Sequence, residues 1–366
     1  MLVNDIIQTI EKIAPPSYQE SYDNCGLQVG NPISEVTGVL ICLDVTEEVV
    51  DEAIARGCNM IVAHHPLIFS GLKRISGRNY VERVVIKSIK NDISIFAAHT
   101  SLDNMSAGVN AAIAARLGLV NTSVLAPKPS TLSKLYTYAP TNVADQVRDA
   151  LFAAGAGHIS NYLECSFNTS GTGTFRPGDD SNPTIGTPGG ERETLEEVKI
   201  EVLVPKHAEG KVLCALFTNH TYEEVAYEIV PLSNTNHQIG AGLIGHLPSP
   251  MPETDFLPFL KESMKTDCIR HTSLLGKKVE KVAICGGSGS FLLRDAINAG
   301  ADVFITGDFK YHQFFDAENK IVITDIGHYE SEQFTSGIFE TILKKKFPTF
   351  AILLSNINTN PVKYYY

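Results

Sequence analysis

The feature that most constrains this chain is a rhythm present at both ends and absent from the middle. Over residues 1–127, strand and helix signals alternate. The apolar run 36–43 reads as a buried strand. Residues 46–56 read as a helix, with Thr46 as N-cap and Gly57 as its stop. A strand at 59–63, a helix at 80–90, a strand at 93–98 and a helix at 108–117 follow. From about residue 281 the rhythm returns, with strands at 281–285, 302–306 and 321–324. A long helix then runs to the lysines at 344–346, and 350–354 reads as a last strand. Such alternation implies an α/β layer with mostly parallel pairing.

The middle reads differently. Strand, helix and strand signals at 133–138, 142–154 and 162–168 precede GTGTFRPGDDSNPTIGTPGGE, a stretch rich in turn formers. A second strand, helix and strand follow at 198–204, 206–217 and 224–230. Two βαβ units around a long loop suit a ferredoxin-like α+β domain. Pro127-Lys128-Pro129 and the glycine-rich residues 240–245 mark its edges. The expected organisation is an outer α/β domain in two parts, 1–127 and 241–366, with 128–240 inserted. Three successive domains are the alternative. A chain of 366 residues is in any case too long for one ordinary core.

Composition narrows the partners. A net charge of −11 argues against a nucleic-acid backbone as partner, unless a local basic patch exists. The start, MLVNDIIQTIEKIAPP, reads as an amphipathic helix and lacks the parts of a signal peptide. No apolar run approaches the roughly 18–20 residues that span a bilayer. The 7 cysteines are scattered, with no C-x-x-C pair, which suits reduced thiols in a cytoplasm and argues against thiolate metal sites.

The residues able to carry chemistry contain no sulfur. His64-His65-Pro66 follows a strand, where active sites of open α/β sheets gather. Two exposed loop histidines would look the same. The next strand leads through His99 to Asp103, a metal ligand or an ordinary helix cap. His328 and Glu332, four apart at a helix start, share one face, although acidic residues are common in a first turn. Together, His64, His65, Asp103, His328 and Glu332 are too many ligands for one catalytic zinc with an open position. They suit two divalent ions about 3.5–4 Å apart with a bridging carboxylate. Zinc is the first choice, and manganese or iron also fit nitrogen and oxygen donors. His99, Asp308 and His312 are candidates for orienting the ligands, and Asp308 and His312 read equally as a cap and a surface histidine. Gly287 and Ser288, in the turn 286–290, offer backbone donors to an anion or form only a tight turn. Tyr22-Asp23-Asn24 is a polar turn that would border the cleft.

These motifs resemble the Nif-three-like family, the GTP cyclohydrolase 1 type 2 homologues. The matching pieces are YDNCGLQVG (22–30), HHP (64–66), HTSLDN (99–104), CGGSGS (285–290), TGDFKYH (306–312) and DIGHYESE (325–332). The resemblance spans essentially the whole chain. It implies a dimetal site on the same five ligands, a PII-like inserted domain and a toroidal homohexamer. The cyclohydrolase label implies hydrolytic opening of the GTP imidazole ring with release of formate, a mechanism that the cysteine-free site cannot share with the type I enzyme. The expectation is a cytoplasmic dinuclear metal-dependent hydrolase of a nucleotide or other anionic phosphorylated small molecule. Glu332 would bridge the ions and carry a proton. The alternative is a non-enzymatic metal-bearing scaffold or metal chaperone, with the inserted domain as a ligand sensor or gate.

Overall fold

The computed structural model describes residues 1–159 and 161–365. The chain divides into two compact units. One comprises Met1–Lys128 with His237–Tyr366, and the other is Pro129–Asn236.

The first unit holds two sheets rather than one. In the first, the strands run in the order Gly26–Val29, Ser94–Ala97, Met60–Ala63, Val39–Cys42 and Ile352–Leu354. The last four are mutually parallel, and Gly26–Val29 is an antiparallel edge. In the second, the order is Arg270–His271, Val322–Asp325, Val303–Gly307, Lys278–Ser288, Gly240–Pro252 and Val120–Pro127. Only its three strands from Val322–Asp325 to Lys278–Ser288 run parallel to one another. The expected single, mostly parallel sheet is therefore corrected to one mostly parallel and one mixed sheet. The two chain segments interlock: Ile352–Leu354 completes the first sheet, and Val120–Pro127 closes an edge of the second.

Alternation along the strands builds the layers. Val39, Ile41, Met60 and Val62 face the same core as Val282, Ile284, Val303 and Ile305 of the other sheet. Between them lie the helices Val3–Glu11, Val109–Arg116, Glu253–Met264 and Thr335–Lys346. Leu40, Ile61 and Ile95 point the other way, onto the helices Glu47–Ala55 and Tyr80–Lys90. The Thr46 hydroxyl does cap its helix, accepting from the Val49 amide. Among the described residues, no helix is long and apolar enough to cross a membrane.

The glycine-rich residues 240–245 are not a linker. They begin a strand that pairs on both sides, because glycine in a ladder allows close backbone approach as readily as it breaks a helix. In the second unit the elements run Leu132–Pro140, helix Ala144–Ala153, Ser166–Phe175, Glu193–Pro205, helix Glu209–Asn219 and Tyr227–Pro231. The spatial order is third strand beside second and first, with the fourth beside the first, and every pair is antiparallel. The Ser166–Phe175 strand carries on through Gly171–Thr174, read above as loop, because Gly173 and Phe175 pair with Leu195 and Glu193. Both helices pack Val147, Leu151, Val212 and Leu216 onto Leu135, Ile200 and Val202.

Candidate metal centre

The parallel strands of both sheets deliver their carboxyl ends to one place. His64 and His65 follow Met60–Ala63, and His99 follows Ser94–Ala97. Asp308 follows Val303–Gly307, and His328 opens the short helix His328–Glu332 just after Val322–Asp325. The helix brings His328 and Glu332 onto one face, with His328 Nε2 3.1 Å from Glu332 Oε2.

Four imidazoles are anchored in the same manner. His64 Nδ1 lies 3.0 Å from Ala98 O. A carbonyl only accepts, so Nδ1 carries a hydrogen and Nε2 is the nitrogen left free to coordinate. His65 Nδ1 lies 2.7 Å from Asp44, His99 Nδ1 2.9 Å from Asp23, and His328 Nδ1 2.8 Å from Asp308. Each carboxylate fixes the tautomer as the carbonyl does, a pattern common behind metal-binding histidines.

The freed nitrogens converge. His65 Nε2 and His328 Nε2 stand 3.2 Å apart, and Glu332 Oε2 lies 2.9 Å from the former. His64 Nε2 lies 3.5 Å from Asp103 Oδ1 and 3.8 Å from Glu332 Oε1. Lone pairs facing lone pairs at such distances repel unless a proton or a metal cation stands between them. In keeping with this, His64 Nε2, Asp103 Oδ1 and Glu332 Oε2 are buried without a hydrogen bond. Three overlapping groups have donor geometry for a metal: His64, His65 and His99; His65, His328 and Glu332; and His64, Asp103 and Glu332. The residues present fit a metal.

The electrostatics point the same way. Burial alone would lower the His65 and His328 pKa values. Instead, Asp44 and Glu332 raise His65 to about 9, and Asp308 and Glu332 raise His328 to about 11. Burial and the Glu332 charge push Asp103 up to about 7. Glu332 is held well below the usual carboxylate range, against its burial, by His328, His64 and His65. The centre attracts positive charge.

The five residues expected from the sequence thus stand together. His99 stands closer than an orienting role requires, within ligand reach of His64 and His65. Asp308 orients His328. His312 is not brought in: it is exposed and stacks between Tyr311 and Phe315. The Gly287 amide is not open to an anion, because it donates to Ser331 Oγ at 2.8 Å. The Gly286 and Gly289 amides are likewise taken, by Asn110 and Thr306. The turn is tight for a packing reason. Gly287 has φ +64°, and a Cβ there would overlap Glu332 Oε1. Ser288 is exposed and lines a small cavity of about 200 Å³ with Asp103, His328 and Glu332.

Sequence reasoning missed Asp44 and the role of Asp23. Asp44 sits just past the strand beside that of His64-His65, which was the available signal. Asp23 also accepts from the Thr100 amide at 2.9 Å and from the Thr100 hydroxyl. Arg270 was missed too. Its guanidinium, held by Asp325 and Phe309 O, lines a larger cleft of about 650 Å³ beside His65, His99 and His328.

The comparisons with known proteins give the family. The Duf34/NIF3 (NGG1p interacting factor 3) family profile matches residues 1–361. The chain belongs to the DUF34/NIF3 family. A Halalkalibacterium halodurans relative named GTP cyclohydrolase 1 type 2 homolog is 40% identical over 97% of both chains. One of the same name from Bacillus subtilis is 39% identical over 97% of this chain and 96% of its own. The crystal structure of a Bacillus cereus protein related to NIF3 superposes with a TM-score of 0.86 at 40% identity, covering 100% of this chain and 99% of its own. A Staphylococcus aureus protein does so with 0.78 at 30% identity over 100% and 99%. As a DUF34/NIF3 member, this chain carries the His/Asp/Glu cluster on the family's fold.

Proposed function

We propose that the centre holds two divalent ions and that the protein hydrolyses a nucleotide or another anionic phosphorylated small molecule. The observation that carries the count is Glu332. It belongs to two of the three donor groups, one with His65 and His328 and one with His64 and Asp103. A carboxylate shared in this way suits a pair of ions. Glu332 is 2% exposed with its oxygens facing ring nitrogens. Its role here is that of shared ligand, and the proton-carrying role expected from the sequence is secondary to it. The donors contain nitrogen and oxygen only, which suits zinc and also manganese or iron.

Two such ions, when bound, supply Lewis acidity and lower the pKa of water. The protein's own residues do the rest. Asp44, Asp23 and Asp308 hold the Nδ1 protons and keep the Nε2 lone pairs turned inward. The cleft beside them has apolar walls from Phe69, Tyr329 and Tyr364; Arg270 lines it but is paired with Asp325, so the positive charge toward an anionic substrate would come from the ions themselves. The name of the relatives, GTP cyclohydrolase 1 type 2 homolog, supports a nucleotide of this class.

The same reading takes the Pro129–Asn236 unit as a ferredoxin-like, PII-like insertion, supported by its β-α-β-β-α-β sequence of elements. The toroidal homohexamer carried by the family resemblance belongs to it as well, and sedimentation tests that part alone. For the activity, zinc- or manganese-loaded protein is assayed against GTP, other nucleotides and simple phosphoesters, beside His65→Ala protein. Metal-dependent turnover is expected, falling by at least about 10²–10³-fold in the variant. Full metal loading with no turnover of any candidate would favour a metal-bearing scaffold or metal chaperone instead.

A further inference from the structure

In the Pro129–Asn236 unit, the loop that joins the two longest strands folds back on the sheet. Residues 176–192 leave Ser166–Phe175 and are tied to the turn after helix Glu209–Asn219. The Asn182 amide donates to Glu223 at 2.8 Å, and the Thr184 hydroxyl donates to Thr221 O at 2.5 Å. Within the loop, Arg176 Nε donates to Gly190 O and the Gly189 amide to Gly178 O. The loop roofs a cavity of about 440 Å³, a size suited to small molecules.

The cavity is built rather than left over. Phe175 and Tyr222 form two walls, with ring centroids 6.2 Å apart and planes tilted by 56°. Tyr138 adds a third aromatic, and Pro183 and Ile185 come from the roof. The polar group is Glu197, whose Oε1 accepts from the Tyr222 hydroxyl at 2.8 Å. His220 holds Tyr222 in turn. Its Nε2 donates to Tyr138 O at 2.9 Å, which leaves Nδ1 to accept the Tyr222 amide at 3.0 Å. Gly173 makes room for the carboxylate, since a Cβ there would overlap Glu197 Oε2.

The charge balance selects the ligand. No ion pair among the described residues of this unit involves Glu197. Glu223 and Glu224 also line the cavity, and Arg176 is its one cation among the described residues. Three carboxylates against one guanidinium disfavour an anion. A neutral apolar molecule would cover Glu197 and leave its charge uncompensated. A cation with an apolar body satisfies both features, through the aromatic faces and through a charge-assisted hydrogen bond to Glu197. We propose that this cavity binds a small organic cation with an apolar body, a class for which an arylalkylamine serves as probe. The site lies wholly inside this unit and does not depend on the reading of the metal centre.

Isothermal titration of the full chain with phenethylamine, beside 3-phenylpropionate as a probe of similar size and opposite charge, tests it. Phenethylamine should bind saturably, one per chain, at least about tenfold tighter than the carboxylate. Glu197→Gln should weaken it by at least about tenfold, and Tyr222→Phe by several-fold, with thermal melts confirming that both variants are folded. Should Glu197→Gln fail to fold, Tyr222→Phe decides. Equal affinity for the two probes, no saturable binding of phenethylamine, or unchanged affinity in the folded variants would overturn the proposal.

Discussion

The buried polar groups of the two units are treated in opposite ways. In Pro129–Asn236 they are paired within the unit: Ser133 donates to Glu209, Thr137 to Ala226 O, and His220 uses both ring nitrogens. In the other unit, His64 Nε2, Asp103 Oδ1 and Glu332 Oε2 are buried, close together and without a hydrogen bond. Unmet polar atoms are costly, and a native fold keeps a convergent set of them only where something else meets the need. The first pattern is that of a core. The second is what a ligand site would require, and its back row of Asp44, Asp23 and Asp308 shows which side of each ring is spent.

Substitutions can break this contrast. Leu135→Ala, in the core of Pro129–Asn236 and fully buried, should cost about 2–5 kcal/mol of stability. It should leave metal content per folded chain unchanged, as calorimetry beside elemental analysis would show. A parallel loss of metal would mean that the two units are not separable in this sense. Asp44→Asn should do the reverse. It leaves the His65 ring in place but weakens its anchor, so metal affinity should fall by about 10–100-fold in competition with a chelating dye, with a small change in melting temperature. Gly287→Ala should cost about 1 kcal/mol through its positive φ alone. A larger loss in the metal-loaded protein than in the metal-free form would show that the new methyl displaces Glu332.

A smaller effect lies in the pH dependence of the metal-free protein. His65 and His328 have raised pKa values in the folded state, about 9 and about 11. Their contribution is fully present below the unfolded value near 6.5 and is lost as pH rises through those values. Asp103, raised to about 7, has the same sign, because its ionisation disfavours the folded form as pH rises from about 4 toward 7. Melting temperature of the metal-free protein should therefore fall between pH 6.5 and 9. Metal loading should flatten that slope, and equal slopes in both forms would argue that ions do not occupy this place.

Much of the positioning frame was legible in the sequence, because strand and helix periodicity is local. The strand 59–63 ending at His64 and the helix start at His328 stand within a residue or two of their expected places. What escaped reading depended on pairing at a distance. Residues 240–245 look like a linker until Val120–Pro127 and Lys278–Ser288 flank them. Gly171–Thr174 looks like a loop until its partner strand is known. Asp44 and Arg270 carry no local motif, and their meaning appears only when separate strand ends meet. His312 shows the converse: of its two readings the structure favours the surface histidine, with its ring packed on Tyr311 and Phe315.

Whether Glu332 serves two ions at once is decided by counting metal. Protein purified without chelator and loaded with zinc should contain close to two ions per chain by elemental analysis. Glu332→Gln should lower occupancy at both positions together, because the shared carboxylate becomes a neutral, weakly ligating amide. A loaded wild-type protein that holds one ion or none, or a Glu332→Gln protein that still holds two with unchanged affinity, would mean that Glu332 is not shared between two ions.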